Sequence, residues 1–421
     1  MKALHAGILA SALLCGAWLA GAYAEPLAAD DAKKTAAPAA PAAFEQVAAI
    51  AVLSEKGQGR LQTICVDHAG QVLALVSRPA SFNEPAADAA SEVRVFSPAG
   101  KPAGTWKVSF QADAMNVGPD GTVFVAGAGR VARFDKNGGP LGAPVELPHI
   151  AELLKDRDGL RERAEARLKR NREENAERVA AAKKNLAERR AKIEAKKPED
   201  RSKTELRQLE QFDAILKSYA SAEDHHKNQT ADDVIKAMLG RMKVVNCLAA
   251  SDKDLFVVCG DAEGYGYCVW RLGRDLKDPK QIITGLVGCC GQMDLQCCGS
   301  DVIVAENTKF RVSRYDRDGK AVQHFGKRAD AGGTDGFGGC CNPMNLRTCG
   351  QTGEIFTAES EGVIRRFTAA GEFLDVAAAV KLSGGCKNVA VAVAPNGQRL
   401  YLSDQKGSAV VVFARKAAAK D

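Results

Sequence analysis

Four stretches of this sequence repeat one plan: GPDGTVFVAGAGRVARFDKNGGPLG from Gly118, GSDVIVAENTKFRVSRYDRDGKAVQHFG from Gly299, GQTGEIFTAESEGVIRRFTAAGEFLD from Gly350 and APNGQRLYLSDQKGSAVVVFAR from Ala394. Each has a Gly or Asp turn, a short apolar strand, a polar turn and a strand that alternates apolar with polar. Period-two alternation broken by Gly, Asn and Asp marks short antiparallel strands. Two looser copies run from Cys65 to Val108 and from Cys247 to Gly285. One such unit cannot bury both its faces, but six stacked around an axis can, at a spacing of roughly 40–50 residues. The expected fold is therefore all-β, a six-bladed β-propeller.

The segment VAENTKFRVSRYDRDGKAVQHFG resembles the repeat of the NHL family of propellers, which carries a VAD-like strand end, an R-[IV]-x-x-[FY] strand and a D-x-x-G turn. The resemblance covers most of residues 60–415 outside one insertion. The proline-glycine usual before the innermost strand is largely missing, and in two blades cysteine pairs stand there instead. The resemblance implies an NHL-like propeller that serves as a binding platform.

Lys2, an apolar run from about Ala6 to Ala20 and the small-x-small triplet Ala22-Tyr23-Ala24 have the layout of a signal peptide over residues 1–24. An Ala/Pro-rich tether is expected over 25–45, propeller blades 1 and 2 over 46–149, and blades 3 to 6 over 244–416. No later stretch is long and apolar enough to span a bilayer. The protein is thus expected to be exported, to the periplasm or the extracellular space.

Between blades 2 and 3, residues 150–243 read as an inserted, charged α-helical hairpin arm. Residues 151–210 hold 19 Lys or Arg against 14 Asp or Glu, which is +5 in a chain whose formal total is +6. Val179, Leu186 and Ile193 repeat every seven residues before Pro198, and Leu206, Leu209, Phe212 and Leu216 follow it, giving a thin seam. Ser202 is placed to cap the second helix, and a last helix starts near Thr230. The interspersed signs fit a solvated helix and not the one-signed stripe of a nucleic-acid surface.

Twelve of the 13 cysteines lie beyond the signal. GCCGQMDLQCCG (Gly288–Gly299) and GCCNPMNLRTCG (Gly339–Gly350) each place an innermost strand between two sets of thiols. Cys290 and Cys297, seven positions apart, are separated by up to roughly 23 Å of extended chain, so they open onto opposite faces. Cys289, Cys290, Cys340, Cys341 and Cys386, with Met293 and Met344 just inside, are expected to gather around one channel mouth. Cys297, Cys298, Cys349 and Cys65 belong to the other. Cys259 and Cys268 face each other across one hairpin as a candidate disulfide pair. Disulfides are the default in an oxidising compartment. Thiolates with thioethers also favour a soft ion, Cu(I) or zinc, and a strained vicinal disulfide would serve thiol redox exchange.

Six scattered histidines give little support to a catalytic base on the propeller. Asn116, Asp294, Asn345 and Asn388 recur just inside the channel, where they would hold an ion or satisfy backbone groups of the next blade. The expected function is non-enzymatic: an exported interaction scaffold recruiting a protein or envelope component, without nucleic acid and without a cofactor. The alternative is a soft-metal (Cu or Zn) or thiol-redox propeller using the Cys-Cys-x-x-Met loops. A propeller lyase or lactonase with a calcium or zinc site is a third reading.

Overall fold

A computed structural model describes residues 42–53, 59–77, 91–262, 266–329, 335–382, 388–404 and 406–417. The expected signal peptide, most of the expected tether and Cys386 lie outside the described residues. After β1 (Phe44–Ala51), blade 1 comprises β2 (Arg60–Val66), β3 (Val72–Ser77), β4 (Ser91–Phe96) and β5 (Pro102–Val108). Blade 2 holds β6 (Ala114–Val117), β7 (Val123–Gly127), β8 (Arg130–Phe134) and β9 (Val145–Glu146). Blade 3 follows the helices, with β10 (Val245–Ala250), β11 (Asp254–Gly260), β12 (Tyr267–Gly273) and β13 (Lys280–Leu286). Blade 4 is β14 (Asp294–Cys298), β15 (Asp301–Glu306), β16 (Arg311–Tyr315) and β17 (Ala321–Phe325). Blade 5 is β18 (Asn345–Thr348), β19 (Ile355–Ala358), β20 (Val363–Phe367) and β21 (Phe373–Ala379), and blade 6 has β22 (Val391–Val393), β23 (Arg399–Ser403) and β24 (Ala409–Arg415).

All six sheets are four-stranded and antiparallel. Their first strands, β2, β6, β10, β14, β18 and β22, each pack beside the next, and β22 returns to β2. The chain is a β-propeller with six blades.

The sixth blade borrows its outer strand. β1 pairs with β24, Phe44 opposite Arg415 and Ala51 opposite Ala409. This corrects the sequence-based boundaries: Phe44 and Glu45 are not tether, and residues 46–51 do not open blade 1. Locally FEQVAAIA reads as a strand of some kind, but its partner lies at the far end of the chain. Phe44 seals the join, buried edge-on against Phe356 of blade 5 at 6.1 Å.

Strand β3 shows why the blades stack. Val72, Ala74 and Val76 bury against Ala392, Tyr401 and Val412 of blade 6, whereas Leu73 and Leu75 bury against Met115, Val123 and Val125 of blade 2. Successive side chains of a strand point to opposite faces, so a strand between two neighbours carries apolar residues on both faces. At about 1.5–3 kcal/mol per fully buried aliphatic side chain, such faces are the main source of stability. The D-x-x-G turn Asp316–Gly319 reaches the neighbouring blade: Gly319 adopts φ +89°, and a Cβ there would collide with the carbonyl of Ile282 in β13.

Between blades 2 and 3 the chain forms α1 (Pro148–Leu153), α2 (Arg157–Glu194), α3 (Lys203–Asn228) and α4 (Ala231–Lys243). Ser202 and Glu205 make a reciprocal capping box at the start of α3, as Thr230 and Asp233 do at the start of α4. Residues 161–235 form a compact unit of their own, whereas 148–160 and 236–243 belong with the propeller. The boundaries 150 and 243 are corrected accordingly, because Ile150 and Met242 are fully buried there and the amide of Gly129 in blade 2 donates to the carbonyl of Lys243. Within the compact unit Val179, Ile193 and Phe212 are buried, and exposed pairs such as Arg190 with Asp213 (2.9 Å) decorate the helices. No helix among the described residues is long and apolar enough to cross a membrane.

Candidate functional site

The innermost strands begin at one mouth of the channel, here the entry, and end at the other, the exit. Two loops carrying cysteine doublets stand at the entry. Asn307, buried in the turn after β15, accepts from the amide of Cys289 (2.9 Å) and donates to the carbonyls of Cys289 (3.3 Å) and Gln292 (3.4 Å). In blade 5, buried Asn342 donates to the carbonyl of Gly338 (2.8 Å) and the carboxylate of Glu361 (2.9 Å), and accepts from the amide of Ser360 (3.0 Å). Each doublet loop is thus fixed by one asparagine.

The fixed loops bring three thiols together. Sγ of Cys290 lies 3.4 Å from Sγ of Cys289 and 3.7 Å from Sγ of Cys341, and all three sulfurs lie within 4.8 Å of one another. Cys290 is exposed, Cys289 half-buried and Cys341 buried. Cys290 adopts φ +59°, a conformation that costs an L-residue roughly 1–2 kcal/mol. Burial raises the Cys341 pKa, and the neighbouring thiols raise it further. Cys340, with Sγ 3.2 Å from that of Cys341, is itself disulfide-bonded and stands outside the free thiols. Met344 packs in the same apolar cluster as Cys289 and Cys341, and its Sδ accepts from Asn307 at 3.7 Å. Met293 instead packs with Leu286 and Leu295 between blades 3 and 4.

The ten other described cysteines are free thiols. Cys259 and Cys268 are direct cross-strand partners, with sulfurs 3.7 Å apart and unbonded. His149 of α1 lies over them, Nε2 3.6 Å from Sγ of Cys259 and the ring stacked on Trp270 at 5.3 Å. Burial lowers the His149 pKa to about 4. Cys65 and Cys247 serve as bridges between blades: their thiols donate to the carbonyls of Met115 (3.2 Å) and Leu295 (3.1 Å) in the neighbouring innermost strands.

The polar residues of the channel divide into two levels. Asp294, Asn345 and Asn388 line an entry cavity of about 160 Å³. Asn116 lines the exit instead, beside Gln296, to whose Oε1 its Nδ2 donates at 3.5 Å. Three of the four carry a backbone amide of the following blade: Asp294 that of Leu346 (2.7 Å), Asn345 that of Val391 (2.9 Å) and Asn116 that of Ala250 (3.1 Å). Arg347 lies between the levels, 7% exposed and bonded to Asp294. Burial opposes its charge, but its pKa rises, with the Asp294 carboxylate the largest of the groups that favour the charged form.

The exit opens into a funnel of about 580 Å³ to which every blade contributes: Val66, Val117, Ser251, Cys297, Cys349 and Val393 stand for blades 1 to 6 in order. Its charged rim includes Asp254, held by Arg317 at 2.6 and 2.7 Å. Burial raises the pKa of Cys297 to about 12.

Sequence reasoning missed Arg347, Asn307 and His149. Arg347 was legible in principle, because MDLQ and MNLR place it level with Gln296. Asn307 and His149 gave no local signal.

No protein-family model matches the chain, and no curated protein matches it. Among solved structures the chain is similar to the WD40 domain of Neurospora crassa Pan2, at 10% identity and a TM-score of 0.41, over 89% of this chain and 96% of that one.

Proposed function

We propose that this protein is an exported, NHL-type propeller acting as a non-enzymatic binding scaffold, and that it seats a segment of a protein or other envelope component in the exit funnel. The export reading rests on the N-terminal leader pattern, and the NHL reading on the R-[IV]-x-x-[FY] strands and D-x-x-G turns. The observation that carries the binding reading is the funnel itself, a concavity with apolar floor residues from several blades and a charged rim. Ligand sites are of this kind, mostly apolar with a few fixed polar groups. Two of its charged residues are engaged in structural pairs, Asp254 with Arg317 and Arg347 with Asp294.

Gly350 lines the funnel, and a Cβ added to it meets nothing within 4 Å. Gly350→Trp therefore adds a large side chain at the funnel wall from an unobstructed Cβ position. Gly104→Trp, in the outer strand of blade 1 and equally open, is the control. Cross-linking to an envelope extract of the source cell, read by mass spectrometry, should retrieve the same component with wild type and Gly104→Trp and lose it with Gly350→Trp. Equal retrieval by all three refutes the funnel as the binding site.

A further inference from the structure

We propose that Cys289, Cys290 and Cys341 form a three-sulfur site for one Cu(I) ion at the entry mouth. This goes beyond a binding scaffold and does not depend on it.

The spacing of the three sulfurs suits one metal ion. With sulfur separations of 3.4 and 3.7 Å and a third of at most 4.8 Å, the point equidistant from all three lies no more than about 2.4 Å from each, close to the ~2.3 Å of a metal–thiolate bond. None of the three is in a disulfide. The loops are held before any ion arrives, the first by Asn307 and the second by Asn342, so binding orders little new chain. Exposed Cys290 gives the ion a way in, and buried Cys341 closes the site from below.

The number of ligands selects the metal. Among the described residues no fourth Cys, His, Asp or Glu joins the group, and the sulfur of Cys340 is already spent. Structural zinc takes four ligands in a tetrahedron, whereas Cu(I) is a soft cation that thiolates select. Met344 lies close by, but its thioether is engaged by Asn307. The ion displaces the thiol protons into solvent as the Cu–S bonds form, with no change in oxidation state of copper or sulfur.

The test uses the whole protein, desalted without oxygen and without a disulfide reductant so that Cys340 stays bonded, and titrates it with Cu(I) against a chromophoric Cu(I) chelator. Wild type should retain one equivalent. Cys290→Ser and Cys341→Ser should each weaken retention by more than about 100-fold, beyond the 10–100-fold expected from losing an outer-shell partner. Cys259→Ser should bind as wild type does. Circular dichroism of each variant separates loss of the site from loss of the fold, and Cys290→Ser, at an exposed position, carries the test if Cys341→Ser unfolds. X-ray absorption of the loaded protein should show three sulfurs around copper. Retention unchanged by Cys290→Ser, failure of wild type to compete with the chelator, or zinc bound more tightly than Cu(I) overturns the proposal.

Discussion

Oδ2 of Asp294 in β14 accepts a hydrogen bond from Nη1 of Arg347 in β18 at 2.8 Å, joining the innermost strands of blades 4 and 5 inside the channel. The same oxygen carries the amide of Leu346. Replacing Arg347 by Met leaves that carboxylate buried and uncompensated, which should cost about 3–5 kcal/mol. The double variant Asp294→Asn/Arg347→Met should be more stable than Arg347→Met alone in urea unfolding, because both charges leave together. A double variant as unstable as the sum of its parts contradicts a coupled pair.

Phe44 closes the ring from the far end of the chain, 2% exposed between Phe356 and the guanidinium of Arg415. Phe44→Ala should cost about 3–5 kcal/mol, as large-to-small changes at buried aromatics do. Starting the chain after Ala51 should abolish the cooperative β-unfolding transition, since blade 6 would lose a strand and expose β24. Retention of wild-type stability without residues 44–51 would show that the borrowed strand is dispensable.

How much of this was legible depended on distance along the chain. Blade by blade, period-two runs such as VLALVS and Gly-terminated turns declared the strands, and Ser202 and Thr230, each followed by an acid three residues on, declared the helix starts. The pairing of β1 with β24 left no local trace. Reading Asn116 as level with Asp294 and Asn345 displaced it along its strand. The pairing register matches Ala126, Ala305 and Ala358 instead, which puts Ala114 level with Asp294 and Asn345 and Asn116 two residues deeper. The disulfide expectation for Cys259 and Cys268 followed from compartment chemistry, and their juxtaposition from register; neither says whether the sulfurs bond.

Stability should report the burial of His149 through pH. Its pKa falls from 6.5 to about 4 in the folded protein. The unfolded chain takes up a proton below pH 6.5 that the native state refuses until about pH 4. Stability is therefore full above 6.5 and is lost as the pH falls through that window, by about 3 kcal/mol. Asp113 acts in the opposite sense, because burial raises its pKa from 3.8 to about 6 and its contribution is lost as the pH rises through 6. The difference between wild type and His149→Phe isolates the histidine, and denaturant unfolding should show it growing by about 3 kcal/mol from pH 4 to 6.5. A constant difference contradicts a neutral, buried imidazole.

Residues 161–235 should be removable. Joining Leu160 to Lys236 by a short Gly/Ser link should preserve the β-sheet circular dichroism and its cooperative transition, since Leu147, Ile150 and Met242 stay in place. Cutting at Ile150 and Lys243 takes two of those side chains away, and that version should be less stable. Loss of the β transition in the shorter deletion would make the helical unit part of the folding core.

The most direct measurement is native thiol alkylation, read by mass spectrometry with and without one equivalent of Cu(I). One set of free sulfurs surrounds a common point at the entry, and another lies in the funnel beyond β14. Without copper, Cys290 should react first and Cys341 only on unfolding. With copper, Cys289 and Cys290 should become protected while Cys297 and Cys298 react as before. Protection of Cys297 together with Cys290, or of neither doublet, would contradict that arrangement.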